Sequence, residues 1–365
     1  MDATGGATAR ERSGSRTGTS GVAPAPIRYP FERHPRGAET IEVAPGILWA
    51  RVPLPFRLNH VNVWLLREAD GWTTIDTGTA NAEARAVWAE LARTVLADAP
   101  VVRMIATHGH TDHVGLAGVL HAEAGAPPYH ITLVEWLHAT VRLDESRSLI
   151  APQNLKFLKA HGCDAETIES FADERRRTNA QMVPLPPAIE RLRDGDRLTF
   201  GGRTWDVMVC GGHAAEHASF WCAEDRILIA GDQILSKISP MIGVFPAEPE
   251  ANPLAEYLAS LDRFRALPAP RLVLPSHGLP FKGLHARVEE LAHHHELRLK
   301  LLEGLLHKPS TAMELARGLF PKAVAEGQGR HAFAETLAHA HYLLAQGRVR
   351  RETDGQGRRV FSRAG

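Results

Sequence analysis

The sequence predicts a mixed α/β fold, and three observations carry that reading. From about Tyr29 to His285 short β-branched and apolar runs alternate with amphipathic helical segments. A dense group of metal-ligand side chains begins where one of those runs stops. The last segment, from about Ala286 to Gly365, is helix-rich and closes on a hairpin signal, so it reads as a small unit of its own.

In chain order, residues 1–28 are rich in Gly, Ala, Ser, Thr and Arg and carry almost no large apolar side chain, so disorder is expected there. They hold no continuous apolar stretch of the kind a secretory signal requires. Arg10, Arg12 and Arg16 lean towards a transit peptide, but Asp2 and Glu11 oppose that reading, and a cytoplasmic location is expected. Residues 29–285 form the expected catalytic domain. Ile47 to Val52 and Val61 to Leu66 read as paired strands, Ala82 to Ala97 as a helix, and Val101 to Ala106 as a buried strand. Leu133 to Ala180 is a polar helical insertion whose charged run, Asp173 to Arg177, reads as a solvated face. Residues 286–365 open with a helix from Val288 to Leu306, in which His293-His294-His295 reads as solvated. A Thr311-x-x-Glu314 capping box follows, then a helix over Ala332 to Gln346. Two basic strands flanking Asp354-Gly355-Gln356-Gly357 complete a pattern that resembles a winged helix.

Composition bounds the function. The 365 residues exceed one typical domain, and 44% hydrophobic with 23% charged content is ordinary for a protein with a sizeable core. A formal net charge of zero supplies no global field for nucleic acid or an anionic membrane, and no segment is apolar for long enough to span a bilayer. Cys163, Cys210 and Cys222 are too few and too scattered for a disulfide framework or a Cys-based zinc site, which fits a reducing compartment.

The informative segment is Thr107-His108-Gly109-His110-Thr111-Asp112-His113, with four ligand-type side chains within six residues. Neutral imidazoles and a carboxylate are usual ligands of zinc and similar ions, and Gly109 and Gly115 permit tight turns. A helix gathers only residues three or four apart, so it could not bring adjacent Asp112 and His113 onto one ion with His108 and His110. Two neighbouring ions resolve that geometry.

These residues resemble the signature of the metallo-β-lactamase-fold hydrolases, His-x-His-x-Asp-His after a buried strand. Thr73 to Gly78 is similar to that family's first motif, Gly211-Gly212-His213 to its third, Leu228 to Asp232 to its fourth and Pro275 to Gly278 to its fifth, all in family order. The resemblance implies an αββα sandwich with a small C-terminal winged-helix-like domain, and a two-metal centre. His108, His110 and His213 would hold one ion and Asp112, His113 and His277 the other, with Asp232 bridging and Asp76 buttressing the loop without touching metal. It further implies a metal-bridging hydroxide as nucleophile, with Asp112 orienting it or taking its proton. Five His and two Asp favour zinc, with manganese and iron(II) as alternatives. His217 has two readings, a pocket residue or an ordinary packed histidine. His60 and Lys237 are expected on loops facing the metals, where they would bind an anionic group of a small-molecule substrate.

Asp232 stands where secreted β-lactamases carry a Cys, and only 45 positions separate it from His277, too few for the extra domain of the large-insert RNA-processing branch. The expectation is a hydrolase of a small ester-like bond, a thioester as in glyoxalase II or a lactone. The alternative is a phosphodiesterase or endoribonuclease of the lactamase-β-like type. A nuclease would want Lys and Arg on the third C-terminal helix, which has none from Ala332 to Gln346. The C-terminal unit is therefore read as a structural cap or a homodimer contact, with nucleic acid not favoured and no membrane.

Overall fold

The computed structural model describes residues 25–144 and 149–364. The tail expected to be disordered lies, over residues 1–24, outside the described residues. Arg28 exchanges two backbone hydrogen bonds with Lys282, at 3.1 and 2.9 Å.

Two sheets face each other. In the first, β1 (Ile41–Ala44), β2 (Ile47–Pro53), β3 (His60–Arg67) and β4 (Trp72–Ile75) form an antiparallel meander. Strands β5 (Val101–Ile105), β6 (Tyr129–Thr132) and β7 (Glu190–Leu192) then join in parallel, giving the order β1-β2-β3-β4-β5-β6-β7. The parallel crossovers carry α1 (Ala82–Arg93), α2 (Thr111–Val114), α3 (Ala117–Glu123) and, in the polar insertion, α4 (Leu133–Arg142), α5 (Pro152–Ala160) and α6 (Ala165–Asn179). The second sheet has the order β12-β11-β10-β9-β8. It is built from β8 (Arg197–Phe200), β9 (Arg203–Cys210), β10 (His217–Cys222) and β11 (Ile227–Gly231), with β12 (Leu272–Pro275) parallel to β11 after α7 (Pro253–Arg265).

The layers follow from which faces are apolar. Trp49, Trp64, Ile75 and Ile105 of the first sheet interdigitate with Phe200, Trp205, Phe220, Ile229 and Leu274 of the second to make the central core. The opposite face of β2 and β3 is covered by Val87, Trp88 and Leu91 of α1, and that of β5 and β6 by Val114 and Ala117. Behind the second sheet, Tyr257, Leu261 and Phe264 of α7 share one continuous core with α8 (Leu284–Leu305) and the C-terminal segment. The chain is thus the expected αββα sandwich.

After α8 come β13 (Ser310–Thr311), α9 (Ala312–Leu319), α10 (Pro321–Ala325), α11 (Gly329–Ala345) and the hairpin β14 (Val349–Thr353) with β15 (Arg359–Arg363), in a sheet ordered β13-β15-β14. The capping box is formed at both ends, Glu314 N–H donating to Thr311 Oγ1 and Thr311 N–H to Glu314 Oε2. Two solvated-face expectations are corrected. His295 is fully buried against His339, because one turn of α8 points it into the core while His293 stays in water. The charged run of α6 is divided by the helical period in the same way. Arg176 and Arg177 are exposed, whereas Glu174 turns inward, its side chain 16% exposed against Arg330.

Candidate metal centre

The strand ends place the site. β4 and β5 run parallel and so do β11 and β12, so Asp76, the 107–113 loop, Asp232 and His277 all emerge at one rim of the sandwich. β10 runs the other way, and His213 just before it reaches the same rim. The rim is sewn together by backbone hydrogen bonds, Ala218 N–H to Thr107 O at 2.8 Å and Ser276 N–H to Gly231 O at 3.0 Å.

Two groups of ligand atoms converge there. His108 Nε2, His110 Nδ1 and His213 Nε2 stand 2.9, 3.1 and 3.2 Å from one another. His113 Nε2 and His277 Nε2 stand 3.6 and 3.4 Å from Asp112 Oδ2. Asp232 faces both groups, Oδ2 lying 3.4 Å from His213 Nε2 while Oδ1 lies 3.6 Å from His113 Nε2 and 3.3 Å from His277 Nε2. A tetrahedral ion with ligand bonds of about 2.0–2.1 Å has ligand–ligand edges of about 3.3 Å. The side chains are therefore spaced as ligands would be.

Proton placement points the same way. His277 Nδ1 donates to His60 O (2.7 Å), His213 Nδ1 to Met241 O (2.9 Å) and His113 Nδ1 to Asp76 Oδ2 (2.8 Å). The bond made by each outer nitrogen fixes the ring so that the inner nitrogen is aimed at the shared point. His113 Nε2, His277 Nε2 and Asp232 Oδ1 are buried without a hydrogen-bond partner, a costly arrangement that a cation relieves. Burial lowers His277, but Asp232 and Asp112 outweigh it and raise its pKa to about 10, a measure of how strongly the pocket favours positive charge. Burial and neighbouring imidazoles hold His108 well below its usual value, as a neutral ligand requires. The residues present fit two divalent ions.

Asp76 lies beneath the loop, Oδ1 accepting from Thr107 N–H (2.8 Å) and Oδ2 from His113 Nδ1. Its φ of 63° is unusual for a non-glycine residue, and the carboxylate's contacts with the loop hold it there. His217 is buried behind the cluster, its Nε2 accepting the Asp232 N–H at 3.0 Å and its ring 5.0 Å from that of His108. His60 also lies behind it. Its Nε2 accepts the Gly278 N–H (2.9 Å) and its carbonyl orients His277, while burial and then Arg51 lower its pKa to about 3. Lys237 sits over the Tyr29 ring, 5.2 Å from its centroid, on a hollow shared with Arg287 and His294.

Sequence reasoning missed several supports. Glu135 on α4 accepts from Gly109 N–H (2.8 Å) and Glu216 N–H (3.1 Å), joining the metal loop to the turn before β10. Asn62 donates to Pro275 O and Gly278 O at 2.8 and 2.9 Å and so fixes the turn carrying His277. A polar residue inside the apolar run Val61-Asn62-Val63-Trp64 was the available signal for it. Glu135 had none.

The sequence profile of the metallo-beta-lactamase superfamily matches residues 57–277, more than half of the chain. The chain belongs to the metallo-beta-lactamase superfamily. A second profile, the metallo-beta-lactamase-like C-terminal domain, matches residues 299–364. Among solved structures of the superfamily's fold, a beta-lactamase domain protein from Burkholderia ambifaria superposes with a TM-score of 0.83 at 35% identity, covering 93% of this chain and 97% of that one. A metallo-beta-lactamase family protein from Thermus thermophilus gives 0.75 at 33%, covering 88% and 100%. The probable metallo-hydrolase YqjP of Bacillus subtilis is 26% identical over 306 residues, 82% of this chain and 92% of that one. The chain is thus a metallo-hydrolase with a His/Asp cluster able to bind metal. Among the described residues no helix is long and apolar enough to cross a membrane.

Proposed function

We propose that the protein is a binuclear metal-dependent hydrolase that cleaves a small ester-like substrate, a thioester or a lactone. The observation that carries this is Asp232, whose two oxygens face two separate groups of ligand atoms. Two divalent ions held there, zinc by the ligand set, would supply Lewis acidity and a water acidic enough to attack near neutral pH. The chain's own residues supply the rest. His108, His110 and His213 hold one position, Asp112, His113 and His277 the other. Asp76, His60 and the Met241 carbonyl fix the imidazoles so that little reorganises during the reaction.

Asp112 would orient the attacking water or take its proton. Its side chain is 21% exposed against 8% for Asp232, so it lies on the open side of the cluster. Burial raises its carboxyl, but His113 and His277 outweigh that and keep it ionised. The thiols are poor rivals as nucleophiles, because burial pushes Cys163 up to about 12 and Cys210 up to about 11.

The thioester reading draws support from a hydroxyacylglutathione hydrolase of Methylobacterium, 26% identical over 117 residues, which are 30% of this chain and 43% of that one. The C-terminal unit, with its helices and β14–β15 hairpin, we read as a winged-helix-like cap. Much of its basic hairpin is paired internally, Arg348 on Glu303, Arg351 and Arg359 together on Glu250, and Arg358 on Asp354. Helix α11 is largely buried, which weighs against nucleic acid. Metal-reconstituted protein is expected to hydrolyse an acyl thioester or a lactone and to leave a phosphodiester intact. Turnover of the phosphodiester alone would replace the ester reading with the nuclease one.

A further inference from the structure

Helix α4 starts against the metal loop, through Glu135, and leads away from it. Glu135, Ala139 and Arg142 are spaced i, i+4, i+7 and share one stripe, of which Glu135 and Ala139 are buried. Arg142, about 10 Å further along the axis than Glu135, therefore lies on the side turned towards the metal loop, and its charge acts on His110 and Asp112. Asn179 Nδ2 donates to Arg142 O at 2.8 Å and binds the end of α4 to the end of α6. Helix α6 in turn meets the start of α11, where Glu174 Oε1 accepts from Arg330 Nε at 3.1 Å. Arg142, Arg175 and Arg330 thus come from three elements to one place.

Among the described residues their pairing is incomplete. Glu174 is the carboxylate in this group, and it is taken by Arg330 and His331. Glu135 is occupied by two backbone N–H groups and Asp112 belongs to the metal cluster. Among the described residues neither Arg142 nor Arg175 has an ion-pair or side-chain hydrogen-bond partner, although both are partly buried. Burial, then Arg330 and Arg175, lower the Arg142 pKa to about 10, and burial followed by Arg330 lowers that of Arg175. Among the described residues Arg142 and Arg175 are thus left without a paired carboxylate, and a partly desolvated, unpaired guanidinium is unfavourable unless an anion arrives.

We propose that Arg142, Arg175 and Arg330 form a recognition site for an oxyanion group, a carboxylate or a phosphate, on the part of the substrate remote from the bond cleaved. The planar forks suit bidentate binding of such groups. The insertion and the C-terminal unit would then select the substrate jointly, and the metal rim would cut it. This rests on the hydrolase reading above.

The test compares calorimetric binding of pantetheine, its 4′-phosphate and glutathione to the metal-loaded full chain and to R142Q/R175Q of equal metal content. The thiol end is common to the first two probes, so their difference reports the remote group. The phosphate is expected to bind about 10-fold tighter than pantetheine, and the gap is expected to close in the variant. A variant-sensitive gain for glutathione alone would keep the oxyanion site and assign it to carboxylates. Equal affinity for all three probes in the unmodified protein, or a gap that survives in the variant, overturns the proposal. Arg142→Gln alone carries the same comparison where the double variant does not fold. Acetyl thioesters of the two pantetheines are assayed in parallel. An absence of hydrolysis with both metals bound would refute the hydrolase reading while leaving the binding difference to be judged separately.

Discussion

Asp232→Ala is expected to lower kcat/KM by at least about 10³-fold, since charge stabilisation by the metals is worth several kcal/mol, and to lower bound metal with it. The reason is positional. Among the described residues Asp232 is the one side chain with an oxygen towards each group of ligand atoms, so its loss loosens both positions together. The fold should survive. The contact that anchors residue 232 to its surroundings is its backbone N–H on His217 Nε2, and that remains in the variant. Metal analysis and a melting curve on the same sample check both halves. Unchanged metal content with activity within about 10-fold of the original, a difference of only about 1.4 kcal/mol, would remove Asp232 from the site.

Gly109→Ala is the second large effect, and here the cause is steric. A Cβ at residue 109 would stand 2.4 Å from the Glu135 carbonyl oxygen and 3.2 Å from its Oε2. The first of these is backbone of α4 and cannot swing aside. The loop must move instead, and it carries His108 on one side of residue 109 and His110 on the other. Overpacking of this kind costs about 1–3 kcal/mol in stability. Displacing the supports of metal ligands typically weakens metal binding about 10- to 100-fold. Competition with a chelator gives the affinity and calorimetric melting the stability. An Ala variant that keeps both would mean that Glu135 does not hold the loop.

What the sequence made legible was local chemistry. The 107–113 segment carries its ligands in one turn, and the apolar run before it forms β5. The capping box at Thr311 and the turn at Asp354 are short-range devices whose partners are three or four residues away, so a string suffices to read them. The more distant motifs were legible through their order along the chain, and the parallel pairing of β4 with β5 and of β11 with β12 is what turns that order into proximity.

Support and specificity depend on tertiary placement, which the string hides. His60 looked like a pocket residue and His217 could be read as one or as an ordinary packed histidine, and each uses its Nε2 to accept a backbone N–H behind the cluster. Lys237 follows Asp232 closely in sequence, but the chain carries it away to Tyr29. The run from Asp173 to Arg177 offered no sign that one face of α6 would meet Arg330, since that depends on where α11 lands.

The central claim is a two-ion centre shared through Asp232. Its most direct test is the number of metal ions per chain in reconstituted, desalted protein, measured by mass spectrometry against a quantitative amino-acid analysis. Two ions per chain is the expected result. A single ion retained by His108, His110 and His213, or none, would contradict it.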